Sequence, residues 1–177
     1  KFRLFLSANL RHSTFIGMLA LAACSDSPPL PPHCRVIEEL PEISTVAAGC
    51  IVTSNNQLLI IRHRLSGKLD IPAGGVNEVE TSACAAHRET FEETGINTLV
   101  NAHLSITQNG LALFSCVQQS GFDADKYAKI PVPEWSTTEV EEIQWVDPFE
   151  LSHQDLRYPD QLAEIRDAFV KAAQQQK

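Results

Sequence analysis

The chain has 177 residues, 44% of them hydrophobic and 20% charged, with a formal net charge of −8. That is enough apolar material for one folded domain plus extra segments, and the acidic balance argues against the basic footprint of a nucleic-acid binder. The five cysteines (Cys24, Cys34, Cys50, Cys84 and Cys116) form no CxxC pair, so zinc-ribbon and thioredoxin-like centres find no support.

In chain order, the first segment differs from the rest. Lys1, Arg3 and Arg11 precede an apolar run from Phe15 to Ala23 that ends in small residues before Cys24. A charged start, a short apolar centre and a small-residue end are the parts of a secretory signal. The run is shorter than the roughly 20 apolar residues a spanning helix needs. Leu21, Ala22, Ala23 and Cys24 resemble a bacterial lipobox, which implies lipidation of Cys24 and a periplasmic or outer-envelope lipoprotein. The other reading is a cytoplasmic enzyme with an N-terminal extension. The sequence opens on Lys rather than Met, so the true start is expected to be missing or mis-assigned. Residues 1–24 are thus read as a signal-like segment. Residues 25–35, with Pro28, Pro29, Pro31 and Pro32, are read as an extended linker. Residues 36–177 are read as the folded domain.

Within that domain, residues 45–53 read as a buried strand and 57–62 as its hairpin partner across Asn55-Asn56. Residues 69–72 form a short strand leading into Ala73, Gly74 and Gly75. A helix is predicted from Thr81 to Thr94, capped by Thr81 or Ser82 and stopped by Gly95 in a left-handed conformation. Strands at 98–107 and 110–118 flank the Asn109-Gly110 turn. Residues 119–137 read as a long loop and 140–146 as a further strand. A closing helix spans 160–173, with Leu162, Ile165, Phe169 and Val170 on one face. Cys50 and Cys116 lie in apolar strand runs, where packed free thiols are expected. Once Cys24 is set aside, four cysteines remain that an oxidising compartment would allow to pair. Strands around one early and one late helix give an α/β fold, a mixed sheet with helices packed on it.

The chemistry concentrates on the first helix. Glu89, Glu92 and Glu93 stand at i, i+3 and i+4, on one side at 3.6 residues per turn. Like charges at that spacing repel by a few tenths of a kcal/mol per pair. Arg88, four residues before Glu92, offsets part of this, and a hard divalent cation with oxygen ligands would offset more. Taken alone, such a triplet is more often a solvated acidic face, since glutamate is a good helix former.

Its surroundings decide the matter. Gly74, Glu80, Arg88, Glu89, Glu92, Glu93, Gly95 and Ile96 fall at the spacings of the Nudix box, with Thr90 where an aliphatic residue is usual. From residue 45 to about 173 the chain resembles the Nudix (MutT-like) hydrolase family. The resemblance implies an α/β/α sandwich with a mixed β-sheet and Mg²⁺-dependent hydrolysis of a diphosphate bond, with Mn²⁺ as an alternative metal. The implied substrate is a small molecule, a nucleoside diphosphate linked to another moiety or a related organic diphosphate, and no nucleic acid polymer. The competing class is a catalytically silent Nudix-fold module for ligand binding or envelope interaction.

The resemblance also implies roles. Glu89 and Glu93, with Glu92 beside them and the carbonyl of Ala73, are the metal ligands. Gly74, Glu80, Arg88 and Gly95 orient and shape the site. The proton acceptor is a box glutamate, Glu92 or Glu93, or a carboxylate from a later loop: Glu139, Glu141 or Glu142. Arg62 and Arg64, with His63 and Lys68 nearby, stand where they could grip substrate phosphates or simply end a hairpin in solvent. Trp135, Phe122 and Tyr127 are either stacking surfaces for a substrate or packing residues of the long loop.

Overall fold

The computed structural model describes residues 29–37, 40–119 and 122–175. The signal-like segment, with Cys24, lies outside these residues. The strands are β1 (Ala47–Ser54), β2 (Gln57–His63), β3 (Leu69–Asp70), β4 (Ala73–Gly75), β5 (Thr98–Ile106), β6 (Leu111–Gln118), β7 (Lys129–Ile130) and β8 (Val140–Val146). The helices are α1 (Ser82–Thr94) and α2 (Leu162–Gln175), the latter entered through a 3-10 turn at Pro159–Gln161.

Strands run in the order β5-β6-β1-β2-β8-β7, with β3 added to β2 and β4 to β1. The β1–β6 pair is parallel and the others are antiparallel, so the sheet is mixed. Side chains alternate across a strand. Ala48, Cys50 and Val52 of β1 therefore join Ala83, Ala85 and Ala86 of α1, while Ile51 joins Leu162, Ile165 and Phe169 of α2. Strands buried on both faces read as continuous apolar runs, as 47–52 and 58–61 do. The result is the expected α/β/α sandwich.

The feature that positions the site is a fork. Asn55 and Asn56 both take positive φ, 47° and 62°, the geometry a two-residue hairpin turn needs. Yet β1 and β2 pair only at Thr53↔Leu58 and Ser54↔Gln57. Beyond that they part. The opening is filled by β3, paired to β2, and β4, paired to β1. Gly49 permits this. A Cβ there would lie 2.6 Å from the Ala73 Cβ and 2.9 Å from the Pro72 carbonyl oxygen, so a side chain would push the inserted loop out.

Four expectations change. Residues 119–137 are not all loop: β7 pairs with β8, and Ile130 is buried opposite Ile143. Two residues before Pro131 are too short a run to announce a strand. Val170 is 41% exposed, because the buried stripe of α2 continues through Ala168 and Ala172 instead. Among the described residues the cysteines are paired, Cys34 with Cys84 and Cys50 with Cys116. The parallel register places Cys50 opposite Phe114 and Cys116 opposite Val52, so the two sulfurs share the α1 face of neighbouring strands. The fold also reaches back past Val36. Arg35 accepts a hydrogen bond from the Val100 amide, and Ile37 donates one to the Val100 carbonyl, so Cys34 and Arg35 belong to the domain rather than to the linker.

Cys50 and Cys116 are fully buried, whereas Cys34 is exposed and Cys84 half-buried. Thiol counting in mild reductant is expected to release Cys34 and Cys84 first, and Cys50 and Cys116 only on unfolding. Loss of the Cys50–Cys116 bond is expected to cost about 2–4 kcal/mol, read from denaturant midpoints with and without reductant. Simultaneous release of all four thiols in the folded state would contradict this.

Candidate active site

Helix α1 carries the site and has defined ends. The Thr81 side chain accepts from the Cys84 amide, and Gly95, at φ 70°, donates its amide to the Phe91 carbonyl. Thr90 is fully buried and its hydroxyl donates to the Ala86 carbonyl, so the departure from an aliphatic residue falls on packing.

Arg88 organises the acidic face. Its Nε and Nη2 each lie 2.9 Å from a Glu80 carboxylate oxygen, and Nη1 lies 2.6 Å from Glu89 Oε1 and 3.0 Å from Glu92 Oε2. Nη2 also donates to the Gly75 carbonyl at 2.7 Å. One guanidinium thus ties three carboxylates to the loop before the helix, using the fixed fork that Arg offers. The bonds to Glu80 lead in raising the Arg88 pKa above its ordinary value. Burial pushes Glu80 up, but the bonds from Arg88 and Asn77 outweigh it and hold that carboxyl below its usual range.

Glu93 and Glu89 are placed differently. Glu93 Oε2 accepts from the Ala73 amide at 2.9 Å. Enclosure of the Glu93 carboxyl pushes its pKa well up; the Ala73 amide opposes this, and the charges of Glu89, Asp70 and Glu139 add to it. Burial also raises Glu89, against the pull of Arg88. The Glu89 carboxylate lies against Gly74, where a Cβ would come within 2.2 Å of it, so only a bare backbone admits the carboxylate. Glu92 is more exposed, and its backbone carbonyl accepts from Trp135 Nε1 at 3.0 Å.

The later loop brings Glu139, exposed at the start of β8, close enough to influence both His63 and Glu93. Glu141 points to solvent, and Glu142 is paired with Arg62 and Lys129. Arg62 binds Glu142 and the Gly67 carbonyl. Arg64 binds the Thr137 and Val140 carbonyls, while its amide donates to the Glu139 carbonyl at 2.7 Å. Both arginines therefore brace the frame around Glu139. Trp135 stacks on Phe91 at 6.0 Å, and Phe122 meets Tyr127 edge-on at 5.0 Å. These aromatics pack the loop.

Two neighbours are absent from the sequence reading. Asp70 is 9% exposed on β3 between buried Leu69 and Ile71. Arg157 comes from the segment before α2, with Nη1 4.0 Å from Asp70 Oδ2. A carboxylate between two inward aliphatics was the available signal for Asp70. Arg157 has none, because its position follows from a parallel bridge between Leu69 and Leu156.

A divalent cation is the group the box implies. Among the described residues no three His, Cys, Asp or Glu side chains already stand together as a cage, since Arg88 draws Glu89 and Glu92 toward itself. The donor chemistry nevertheless suits a hard cation. It is all oxygen and mutually repelling, and Glu93 forms no ion pair among the described residues.

Burial pushes Asp70 up to about 6, against the Ile71 amide and Arg157. A carboxyl raised on folding contributes stability below its unfolded pKa and loses it as pH rises through the folded one. Between about pH 4 and 6.5 the metal-free protein is expected to lose about 2–3 kcal/mol from this group. Thermal melts across that range should show a flatter profile for Asp70→Asn and higher stability than wild type at pH 7. An unchanged slope would refute the assignment.

Residues 44–169 match the NUDIX domain family. A MutT-like protein of Streptomyces ambofaciens is 29% identical over 114 residues, covering 62% of this chain and 67% of the relative. An ADP-ribose pyrophosphatase from Streptococcus suis superposes with a TM-score of 0.59 at 11% identity, over 73% of this chain and 92% of that one. A UDP-X diphosphatase gives 0.59 at 13% identity, over 78% and 67%. A NUDIX hydrolase from Nitrosomonas europaea gives 0.53 at 22%, over 73% and 90%. At these identities the structures share the fold. The family match spans most of the chain and includes α1 with its glutamates and arginine, so the chain belongs to the Nudix family of pyrophosphate-hydrolysing enzymes.

Proposed function

We propose that this domain hydrolyses the diphosphate bond of a nucleoside diphosphate linked to another group, or of a related organic diphosphate, with Mg²⁺ held at the box. The observation that carries the reading is the contact of the loop with the helix. Glu93 is fixed by the Ala73 amide at 2.9 Å, and Glu89 packs on the bare backbone of Gly74. Glu89, Glu93 and the Ala73 carbonyl are the ligands this arrangement favours, with Glu92 beside them. A bound Mg²⁺ would neutralise phosphoryl oxygens and acidify a water. Arg88 keeps the glutamates from splaying apart. Glu139, whose charge bears on both Glu93 and His63, takes the proton as the water oxygen bonds to phosphorus and the bridging P–O bond breaks. The leaving phosphate departs as an anion.

The relatives described as an ADP-ribose pyrophosphatase and a UDP-X diphosphatase support a substrate in which a nucleoside diphosphate carries a further group. The complete glutamate set opposes a silent module, which has no chemical use for it. Glu93→Gln is expected to lower kcat by about 10²–10⁴-fold with Mg²⁺, and Glu139→Gln to lower kcat by a similar factor while leaving KM near its wild-type value. Chromatographic measurement of the two phosphomonoester products on a diphosphate panel checks both. Equal turnover by wild type and Glu93→Gln would sink the enzymatic reading at this site.

We also propose an envelope location. Two disulfides in one domain suit an oxidising compartment, and the lipobox-like run before Cys24 suits an anchor. Cells fed a fatty-acid probe are expected to label the wild-type protein and not Cys24→Ser. An unlabelled, reduced protein would refute this.

A further inference from the structure

Beside the Ala73–Gly75 loop lies a cavity of about 240 Å³ that no role above uses. Its apolar lining is Ala47, Ala73 and Leu111, and its polar lining includes Asn109, Gln161 and Arg157. A second hollow of about 340 Å³ shares Asn109, Tyr158 and Gln161 with it. Between them the two hollows are lined by residues from the box loop to the β5–β6 turn.

Two side chains here are not fully used by the protein. Gln161 is 4% exposed, and its Nε2 donates to Asn109 Oδ1 at 2.7 Å, yet its Oε1 has no partner. Buried acceptors are rarely left unmet. The Arg157 guanidinium donates no hydrogen bond among the described residues. Its nearest carboxylate oxygen, on Asp70, is 4.0 Å away. By contrast Arg62, Arg64, Arg88 and Arg166 are all bonded to protein acceptors. Arg157 is nonetheless held in place. Its amide donates to the Leu69 carbonyl at 2.8 Å, and its guanidinium lies over the Tyr158 ring at 5.3 Å. A positioned cation with unspent donors, beside a cluster of carboxylates, is an anion-binding group.

We infer that Arg157 and Tyr158 form a second grip on the substrate: Arg157 binds a phosphate oxyanion, and Tyr158, Asn109 and Gln161 receive a hydrogen-bonding ring attached to it. The ring is a base or a sugar and not a hydrocarbon chain, because Asn109, Gln161, Arg157 and Asp70 offer it hydrogen-bonding groups beside Ala47, Ala73 and Leu111. The inference rests on the diphosphate-hydrolase reading and narrows its substrate class.

The test is calorimetric binding, without metal, of adenosine 5′-monophosphate, uridine 5′-monophosphate, glucose 1-phosphate and geranyl phosphate to the full chain. At least one ring-bearing phosphate is expected to bind wild type, at least tenfold more weakly to Arg157→Ala, with Arg157→Lys recovering part of the loss. The two nucleotides against glucose 1-phosphate tell base from sugar. Matching thermal melts of wild type and Arg157→Ala show that the variant folds. Binding of geranyl phosphate alone, no ring-phosphate binding, or equal affinity in wild type and Arg157→Ala would each overturn the proposal. This readout requires neither metal nor turnover, so its failure is distinct from a failure of the Glu93→Gln assay.

Discussion

The site depends on one guanidinium. Three glutamates on one side of a helix repel one another, and two of them, Glu89 and Glu92, are held by Arg88 within 3.0 Å. The same group fastens Glu80 and the Gly75 carbonyl, so it joins the helix to the loop that precedes it. The loop answers with its own bond, from the Ala73 amide to Glu93. Helix and loop are therefore one unit, bonded in both directions. Removing the cation would release charge that is already partly desolvated, which costs more than the pair contributes in solvent.

This arrangement divides labour among the carboxylates. Glu80 has its charge matched by Arg88 and is held down in pKa. Glu93 has no such match and Asp70 only the distant Arg157, and burial pushes both up. Groups pushed apart in this way mark a functional centre more often than a structural one. The unmatched negative charge lies where the loop, the helix and the segment before α2 converge.

Features set by neighbouring residues were legible in the sequence. Thr81, Gly95 and Asn55-Asn56 announce a cap, a stop and a turn because each acts within a few residues of itself. The glutamate spacing likewise needs only helical geometry. Features set by pairing across the sheet were not legible. The parallel register of β1 and β6, which brings Cys50 to Cys116, joins strands 66 residues apart at those positions. Arg157 reaches Asp70 only because Leu156 bridges Leu69. Ile130 is a strand residue only because Ile143 lies opposite. Arg62 and Arg64 stood where phosphates would be gripped, but their acceptors are contributed by the β8 region and the Gly67 turn.

The fork between β1 and β2 explains why the covalent bond lies where it does. A central strand normally draws stability from both neighbours, yet β1 leaves β2 after two residue pairs so that β3 and β4 can enter and present Ala73 and Gly74 to α1. What remains on that side is a three-residue pairing with β4. The other edge must carry the load, and it is a parallel pairing, slightly the weaker kind per residue. Cys50–Cys116 crosslinks that edge beneath α1, with both cysteines fully buried. The opening that admits the Ala73–Gly75 loop and the bond that holds β1 to β6 are two consequences of one strand serving both the core and the candidate site.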